Sequence, residues 1–307
     1  MDIELESGTY VVAVSGGVDS MVLLDLLAKQ THGSRFTVHA TTKRYRFVVA
    51  HFDHGIRPDS AEDRKLVKEM AAKYGLPFVH HEGNLGPGTS ESKAREARYE
   101  FLHKVREAVA ADAILTAHHQ DDAIETAVHN LLRGTGRKGL SSLKHTRYVK
   151  RPLLEVSKSE LKSYAEDQGL KWREDSTNQD LTYRRNYIRH KILPKLTLQQ
   201  KADLLTHIQR ARELNKTIDH EIANVLKKHG IKTEFERKSF IKLPHNVARE
   251  VMAAWLRQNS IRSFDRKLLE RLVIAAKTYG IGKAMHIDRQ HYLLVDKQNL
   301  ALRTFER

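Results

Sequence analysis

A short glycine-containing segment near the start of the chain constrains the fold more than any other feature of the sequence. Ser15-Gly16-Gly17-Val18-Asp19-Ser20 follows an apolar, strand-like run at residues 10–14 and precedes a helical run at residues 21–28. Adjacent glycines allow a tight turn with no side chains on its inner side, so backbone N–H groups can converge on one anion. The N-terminus of the following helix adds partial positive charge. The pattern therefore predicts a phosphate-binding loop.

This loop is not a Walker A loop. The Walker A string, Gly, four residues, Gly, Lys and Ser or Thr, occurs nowhere in the chain. Asp19 and Ser20 stand where that motif has its lysine and hydroxyl. An aspartate would repel phosphate unless it holds Mg²⁺, the hard cation that carboxylate and phosphate oxygens share. The alternative is an ordinary turn in which Asp19 caps the helix, but the flanking strand and helix favour the phosphate site.

The first half of the chain alternates short apolar runs with longer amphipathic runs. Strands are predicted at residues 10–14, 47–52, 77–80 and 113–116, and helices at residues 20–30, 60–74, 90–110 and 122–132. This alternation is typical of an α/β fold, a parallel sheet covered by helices on both faces. Ligands of such sheets bind beyond the carboxyl ends of the strands. We therefore expect residues 15–20, 51–57 and 118–122 to face one crevice.

The pattern changes near residue 196. Helices are predicted at residues 198–229, 247–258 and 266–277, followed by strands within residues 285–302. A chain of 307 residues is long enough for two domains. We predict an α/β catalytic domain with a Rossmann-like fold at residues 1–196 and a smaller, mainly helical domain at residues 197–307.

Charge and cysteine content limit the classes of function. Lys and Arg number 53 against 38 Asp and Glu, a net charge of +15, which indicates a polyanionic partner, although a merely basic protein is an alternative. The absence of cysteine excludes disulfides, thiolate zinc sites and cysteine nucleophiles. No apolar run reaches the roughly 20 residues that span a bilayer, and the acidic N-terminus lacks a signal-peptide pattern. We expect a cytoplasmic protein with no membrane contact.

Acidic residues follow the predicted strand at residues 113–116. If a helix begins near Asp121, then Asp122 and Glu125 lie on one face at its N-terminus. Two such carboxylates can hold Mg²⁺ or an ammonium group, and the preceding His118 is a candidate for proton transfer. The alternative is that acids at a helix start only complement its dipole, which suits Asp121 better than the whole set.

Several basic segments are candidates for contacts with phosphate or RNA. His54 lies in a turn after the second predicted strand, and Arg95 shares a helix face with Arg98 and Tyr99. Residues 134–139 match the dinucleotide-binding pattern but follow a helix, so we interpret them as a basic loop. Residues 172–191 interleave cations, which contact phosphate, with aromatic rings, which stack on bases or belong to the core. The candidate RNA contacts in these segments are Arg133, Arg137, Arg185, Asn186 and Arg189.

Together these segments resemble the bacterial tRNA(Ile)-lysidine synthetases, in a short form, within the PP-loop family of ATP pyrophosphatases. The resemblance covers residues 10–194 and rests on segments in the family's order: residues 15–20, 51–57, 94–99, 118–126, 133–136, 151–154 and 172–189. The second predicted domain resembles that of the family only in its size and helical pattern, and the resemblance implies that it binds tRNA. Longer members carry a further C-terminal domain, before which we expect this chain to stop.

The resemblance implies a carbon–nitrogen ligase that uses ATP and Mg²⁺. ATP would adenylate the C2 oxygen of the wobble cytidine in the CAU anticodon of an isoleucine tRNA, and pyrophosphate would leave. The ε-amine of free L-lysine would then displace AMP to give lysidine. A homodimer is compatible with this assignment.

Residue roles follow from the same resemblance. The ATP-binding residues would be Ser15, Gly16, Gly17, Val18, Asp19, Ser20 and His54, with Asp19 and Asp122 near Mg²⁺. Asp122 and Glu125 would hold or deprotonate the lysine ammonium, His118 would transfer protons, and Arg95 would stabilise developing charge. The tRNA contacts would be Arg133, Arg137, Arg185, Asn186 and Arg189.

Two alternatives remain open from the sequence. One is a PP-loop amide or amine ligase that acts on a small molecule, of the NAD or asparagine synthetase type, which leaves the basic excess unexplained. The other is a non-catalytic RNA-binding protein, which leaves the acidic residues 121–125 unexplained because carboxylates repel RNA. The sulfur-inserting members of the family are excluded by the absence of cysteine.

Overall fold

The computed structural model describes residues 1, 3–33, 44–55, 60–86, 88–174, 184–228 and 231–305. Some parts of the predicted segments lie outside the described residues. They fall in residues 34–43, 56–59 and 175–183 and include Arg57 and Tyr183. The chain divides into two compact units, Met1–Arg212 and Glu213–Arg307. The sequence pattern predicts the domain boundary near residue 196, whereas the compact units divide within a long helix.

The first unit alternates strands and helices along most of its length. Its strands are β1 (Gly8–Ala13), β2 (Tyr45–Asp53), β3 (Phe78–Glu82), β4 (Ala113–Leu115) and β5 (Val149–Lys150). Its helices are α1 (Val18–Gly33), α2 (Ser60–Lys73), α3 (Glu91–Ala108), α4 (Gln120–Leu132), α5 (Arg137–Leu140), α6 (Lys158–Asp167) and α7 (Arg184–Tyr187). A π-helical turn (Ile188–Ile192) and a 3₁₀ turn (Leu193–Lys195) continue α7. The predicted α/β class is confirmed.

The strand order determines where a ligand can bind. The five strands are parallel in the order β3-β2-β1-β4-β5. The chain moves from β1 towards β3 on one side and then returns to place β4 on the other side of β1. Because the connections leave β1 and β4 in opposite directions, a crevice opens at their carboxyl ends. The loop after β1 and the segment after β4 therefore meet at the crevice, as the sequence predicts.

The central strand β1 is buried on both faces of the sheet. The neighbouring β1 residues Val11 and Val12, which point to opposite faces, are both fully buried. Val12 packs in one core cluster with the α1 residues Leu23 and Leu24, while Val11 packs with Leu102 of α3 in another. Burial on both faces explains why β1 is a continuous apolar run.

The second unit combines helices with a small antiparallel sheet. The long helix α8 (Leu198–Lys228) crosses the division between the units. It is followed by β6 (Glu234–Glu236), α9 (Arg237–Ile241), α10 (His245–Gln258), α11 (Arg266–Thr278), β7 (Ala284–His286), β8 (His291–Val295) and β9 (Asn299–Thr304). The strands form a sheet in the order β6-β9-β8-β7, and Trp255 of α10 is fully buried in the core of this unit.

Within the described part of the chain, every helix is too short or too polar to cross a bilayer.

Candidate active site

The phosphate loop is held in shape by its own serines. The Ser20 hydroxyl donates to the Gly17 carbonyl oxygen at 2.9 Å, and the Ser15 N–H donates to the Ser20 hydroxyl oxygen at 3.1 Å. α1 begins at Val18, so the N–H groups of Val18 and Asp19 lie in the first helical turn, where no intrahelical acceptor exists. The loop therefore presents donors towards the crevice, as a phosphate site requires.

Arg173 and Asp63, which belong to distant segments of the chain, fix the position of Gly16. The Arg173 N–H donates to the Gly16 carbonyl oxygen at 3.0 Å. The Arg173 Nε donates to the Asp63 Oδ1 at 2.8 Å, and Asp63 is buried in the first turn of α2. Gly16 has φ +95°, and a Cβ at this position would lie 3.3 Å from the Cβ of Asp63. Only glycine fits this position without strain.

We expect Gly16→Ala to lower the free energy of unfolding by about 1–3 kcal/mol, because alanine must adopt a left-handed conformation against Asp63. Gly17→Ala is the matched control, since its added Cβ would meet the Ser15 Oγ at 3.6 Å and the Arg173 carbonyl oxygen at 3.9 Å, which are ordinary contacts. Its unfolding free energy should change by about 0.5 kcal/mol or less. Urea denaturation measures both, and equal losses of stability would contradict the strain at Gly16.

Asp19 contacts two cationic side chains, those of Lys158 and His119. Its Oδ1 and Oδ2 lie 2.6 and 2.8 Å from the Lys158 Nζ, and its Oδ2 lies 3.6 Å from the His119 Nε2. Burial alone would raise the pKa of Asp19, but the hydrogen bond and charge of His119 and the charge of Lys158 outweigh burial and lower it. The carboxylate is therefore ionised at neutral pH.

His119 lies between the aspartate that follows the β1 loop and the aspartate of α4. Its Nε2 lies 3.4 Å from the Asp122 Oδ2 as well as 3.6 Å from Asp19. Burial alone would lower the pKa of His119, but Asp19 and Asp122 together raise it. The aspartates of the β1 loop and of α4 thus converge on one imidazole.

Glu125 is a buried carboxylate on the same helix as Asp122. It is 2% exposed, and its Oε2 lies 2.8 Å from the NH2 group of Arg189, which also lies 3.4 Å from the Asp122 Oδ1. The Arg185 Nε lies 4.0 Å from the Glu125 Oε1. Burial raises the pKa of Glu125 despite these arginines. A carboxylate with a raised pKa is better suited to accept a proton near neutral pH.

Three arginines interact with Tyr99 of α3. The Cζ atoms of Arg95 and Arg98 lie 4.8 and 5.6 Å from the ring centroid, and the buried Arg151 also interacts with Tyr99. Burial and the charges of these arginines lower the pKa of the nearby His118 to about 2. His118 is therefore neutral at physiological pH and a weak base, although proton transfer by it stays a prediction.

The remaining predicted residues lie at different distances from this crevice. His54 is half-buried just after β2, and Asn186 is half-buried in α7 beside Arg185. Arg133 is exposed at the end of α4, and Arg137 begins α5. The residues that the structure brings together at the crevice are Ser15, Gly16, Gly17, Val18, Asp19, Ser20, Asp122, Glu125, Arg185 and Arg189. His118 instead contacts Thr116, whose hydroxyl oxygen lies 2.8 Å from the His118 Nδ1.

Sequence reasoning missed three contributors: His119, Lys158 and Arg173. His119 could have been recognised from its place between a strand end and two aspartates. Lys158 and Arg173 act on loop residues more than 100 positions away, and the sequence carries no local signal for such contacts.

Comparisons with known proteins agree with this geometry. A family profile described as a PP-loop domain matches residues 3–196. A tRNA(Ile)-lysidine synthase of Thermotoga sp. (strain RQ2) is 39% identical over 199 residues, 62% of this chain and 46% of that protein. A tRNA(Ile)-lysidine synthase of Thermus thermophilus is 41% identical over 192 residues, 61% of this chain and 35% of that protein. The tRNA(Ile)-lysidine synthase of Thermosipho africanus (strain TCF52B) is 31% identical over 285 residues, 87% of this chain and 62% of that protein.

The chain spans about half the length of the curated relatives it matches. The profile match covers the phosphate loop, the acidic residues of α4 and every strand of the parallel sheet. The chain therefore belongs to the PP-loop domain family, as its sequence motifs predict.

Proposed function

We propose that this protein ligates free L-lysine to C2 of the wobble cytidine in the CAU anticodon of an isoleucine tRNA, using ATP and releasing AMP and pyrophosphate. The observation that carries the proposal is the convergence of Asp19 and Asp122 on His119, with Glu125 buried beside them. The phosphate loop would thereby lie next to a carboxylate pair that is suited to bind an ammonium group. Relatives named tRNA(Ile)-lysidine synthase support the choice of substrates.

The donor set fits Mg²⁺. Mg²⁺ in nucleotide sites is commonly held by one or two carboxylates together with substrate phosphates, and Asp19 and Asp122 supply two carboxylates beside the loop. When bound there, Mg²⁺ would neutralise phosphate charge during the transfer.

The side chains divide the reaction into two steps. The loop N–H groups and Asp19 orient the triphosphate so that the cytidine C2 oxygen attacks the α-phosphorus. Arg95, whose charge acts on His118 next to the crevice residue His119, would stabilise the charge that develops during this attack. Glu125 and Asp122 then bind the ε-ammonium of lysine, and Glu125 accepts its proton, because an ammonium has no lone pair with which to attack. Arg189 and Arg185 hold Glu125 in position for this transfer.

The tRNA would contact four arginines and one asparagine: Arg133, Arg137, Arg185, Asn186 and Arg189. Arg189 is ion-paired with Glu125 and Asp122, so its contact with tRNA would be shared with its role in positioning these acids. A tRNA substrate also assigns the reaction to the cytoplasm, and homodimer formation remains a prediction.

We expect Arg133→Ala to weaken tRNA binding equally for different tRNA sequences and to reduce the slope of log affinity against log salt concentration by about 1, because one phosphate contact is lost. Filter binding at several salt concentrations measures the slope. Lys104→Ala is the control: Lys104 is exposed near the C-terminal end of α3, away from the carboxyl ends of the strands. An unchanged slope for Arg133→Ala would remove this residue from the interface.

The function is tested by incubating the protein with ATP, labelled lysine and an unmodified CAU-anticodon tRNA. One AMP and one pyrophosphate should form for each lysine that becomes attached to tRNA. ATP cleavage that requires a small-molecule acceptor and no tRNA would instead indicate the small-molecule ligase. Binding of tRNA without ATP cleavage would indicate a non-catalytic RNA-binding protein.

A further inference from the structure

The phosphate loop contains no cationic side chain. Residues 15–20 include one carboxylate, Asp19, and neither lysine nor arginine. The N-terminus of α1 supplies only about half an elementary charge, whereas a triphosphate brings several negative charges. Mg²⁺ would offset only two of these charges, so a cation from elsewhere in the chain would balance the phosphates further.

Lys158 reaches the loop from a distant segment. Its Nζ lies 2.6 and 2.8 Å from the two carboxylate oxygens of Asp19, although the residues are 139 positions apart. Lys158 is the first residue of α6, and the start of that helix is capped by the Ser157 hydroxyl, which accepts from the Glu160 N–H at 3.2 Å. The backbone of Lys158 is thus fixed by the cap and by the burial of Leu161, independently of Asp19.

The Lys158 side chain is able to change partners. It is 35% exposed, and rotation about its flexible stem moves the ammonium without moving α6. Asp19 has a second cationic neighbour in His119, at 3.6 Å. When a phosphate oxygen enters beside Asp19, it offers Lys158 a stronger negative partner while His119 remains beside the carboxylate.

We propose that Lys158 is the phosphate-binding cation of this site: its ammonium moves from Asp19 to the β- and γ-phosphates of ATP and stabilises the departing pyrophosphate. The second part of this proposal rests on the adenylation step proposed above. In that step the cytidine oxygen bonds to the α-phosphorus, the bond from the α-phosphorus to the bridging oxygen breaks, and the electron pair leaves with pyrophosphate. Lys158 stays protonated throughout and supplies charge only.

Calorimetric titration with Mg²⁺ and α,β-methylene-ATP, which is not cleaved at the reacting bond, tests the proposal without lysine or tRNA. Lys158→Met should weaken binding of this analogue about 10- to 100-fold, whereas Lys158→Arg should retain most of the affinity. Lys162→Met is the control, because Lys162 lies one turn further along α6 and pairs with Glu174 at 3.8 Å. AMP, which lacks the β- and γ-phosphates, should bind equally to all four proteins.

Unchanged affinity of Lys158→Met for the analogue would overturn the proposal. An equal loss of affinity for AMP would also overturn it, because Lys158 would then only hold the loop in shape. If the wild-type protein binds the analogue but attaches no lysine to tRNA, the proposed function fails while the role of Lys158 in binding phosphate stands.

Discussion

Asp19→Asn is expected to lower the rate of pyrophosphate release by about 100- to 1000-fold. The carboxylate lies in the first turn of α1 and is the group on which Lys158 and His119 converge. Asparagine keeps the shape of the side chain but removes the negative charge that orients these cations and would hold Mg²⁺. Because adenylation comes first in the proposed reaction, lysidine formation should fall by the same factor.

Rapid-quench measurement of pyrophosphate and of lysine attached to tRNA gives both rates for Asp19→Asn. The fold should survive, since the Asp19 side chain is 27% exposed and loss of such an ion pair costs about 1 kcal/mol or less. Thermal unfolding checks this point. Near-normal pyrophosphate release by a folded Asp19→Asn protein would remove Asp19 from the reaction.

The fold and the position of the crevice could be predicted because their signals are local. The apolar runs that become β1, β2, β3 and β4 are each flanked by turn residues, and alternation with amphipathic helices leaves a parallel sheet as the simplest arrangement. The two-residue strand β5 is too short to produce an apolar pattern, and it was not predicted.

The charge balance within the site could not be read from the sequence. The acids Asp19, Asp122 and Glu125 were found because each lies at a strand end or helix start. Their partners Lys158 and Arg189 are brought to them by tertiary packing, which sequence spacing does not encode. The low pKa of His118 likewise depends on burial and on arginines from α3 and the segment after β5, which the local sequence does not reveal.

Glu125→Gln is expected to separate the two steps of the reaction. Pyrophosphate release should remain within about threefold of the wild-type rate, whereas transfer of lysine should fall by about 100- to 10,000-fold, the usual contribution of a general base. Glutamine fills the same buried space beside Arg189 but can neither accept a proton nor balance the lysine ammonium. Adenylated tRNA should therefore accumulate, which rapid quenching with α-labelled ATP detects.

The pH dependence of Glu125→Gln identifies the missing proton acceptor. Without Glu125, only lysine that is already deprotonated can attack, and that fraction rises about tenfold per pH unit below the ε-amine pKa of about 10.4. The transfer rate of the variant should follow this slope between pH 7 and 9, while the wild-type rate rises less steeply.

Asp121→Asn is the control for Glu125→Gln and should leave both steps almost unchanged. Asp121 is a half-buried acid of the same helix and lies 3.7 Å from the Lys201 Nζ. If Glu125→Gln instead slows pyrophosphate release as much as lysine transfer, then Glu125 acts in adenylation. The lysine proton must in that case go to another group, and Asp122, on the same helix, is the next candidate.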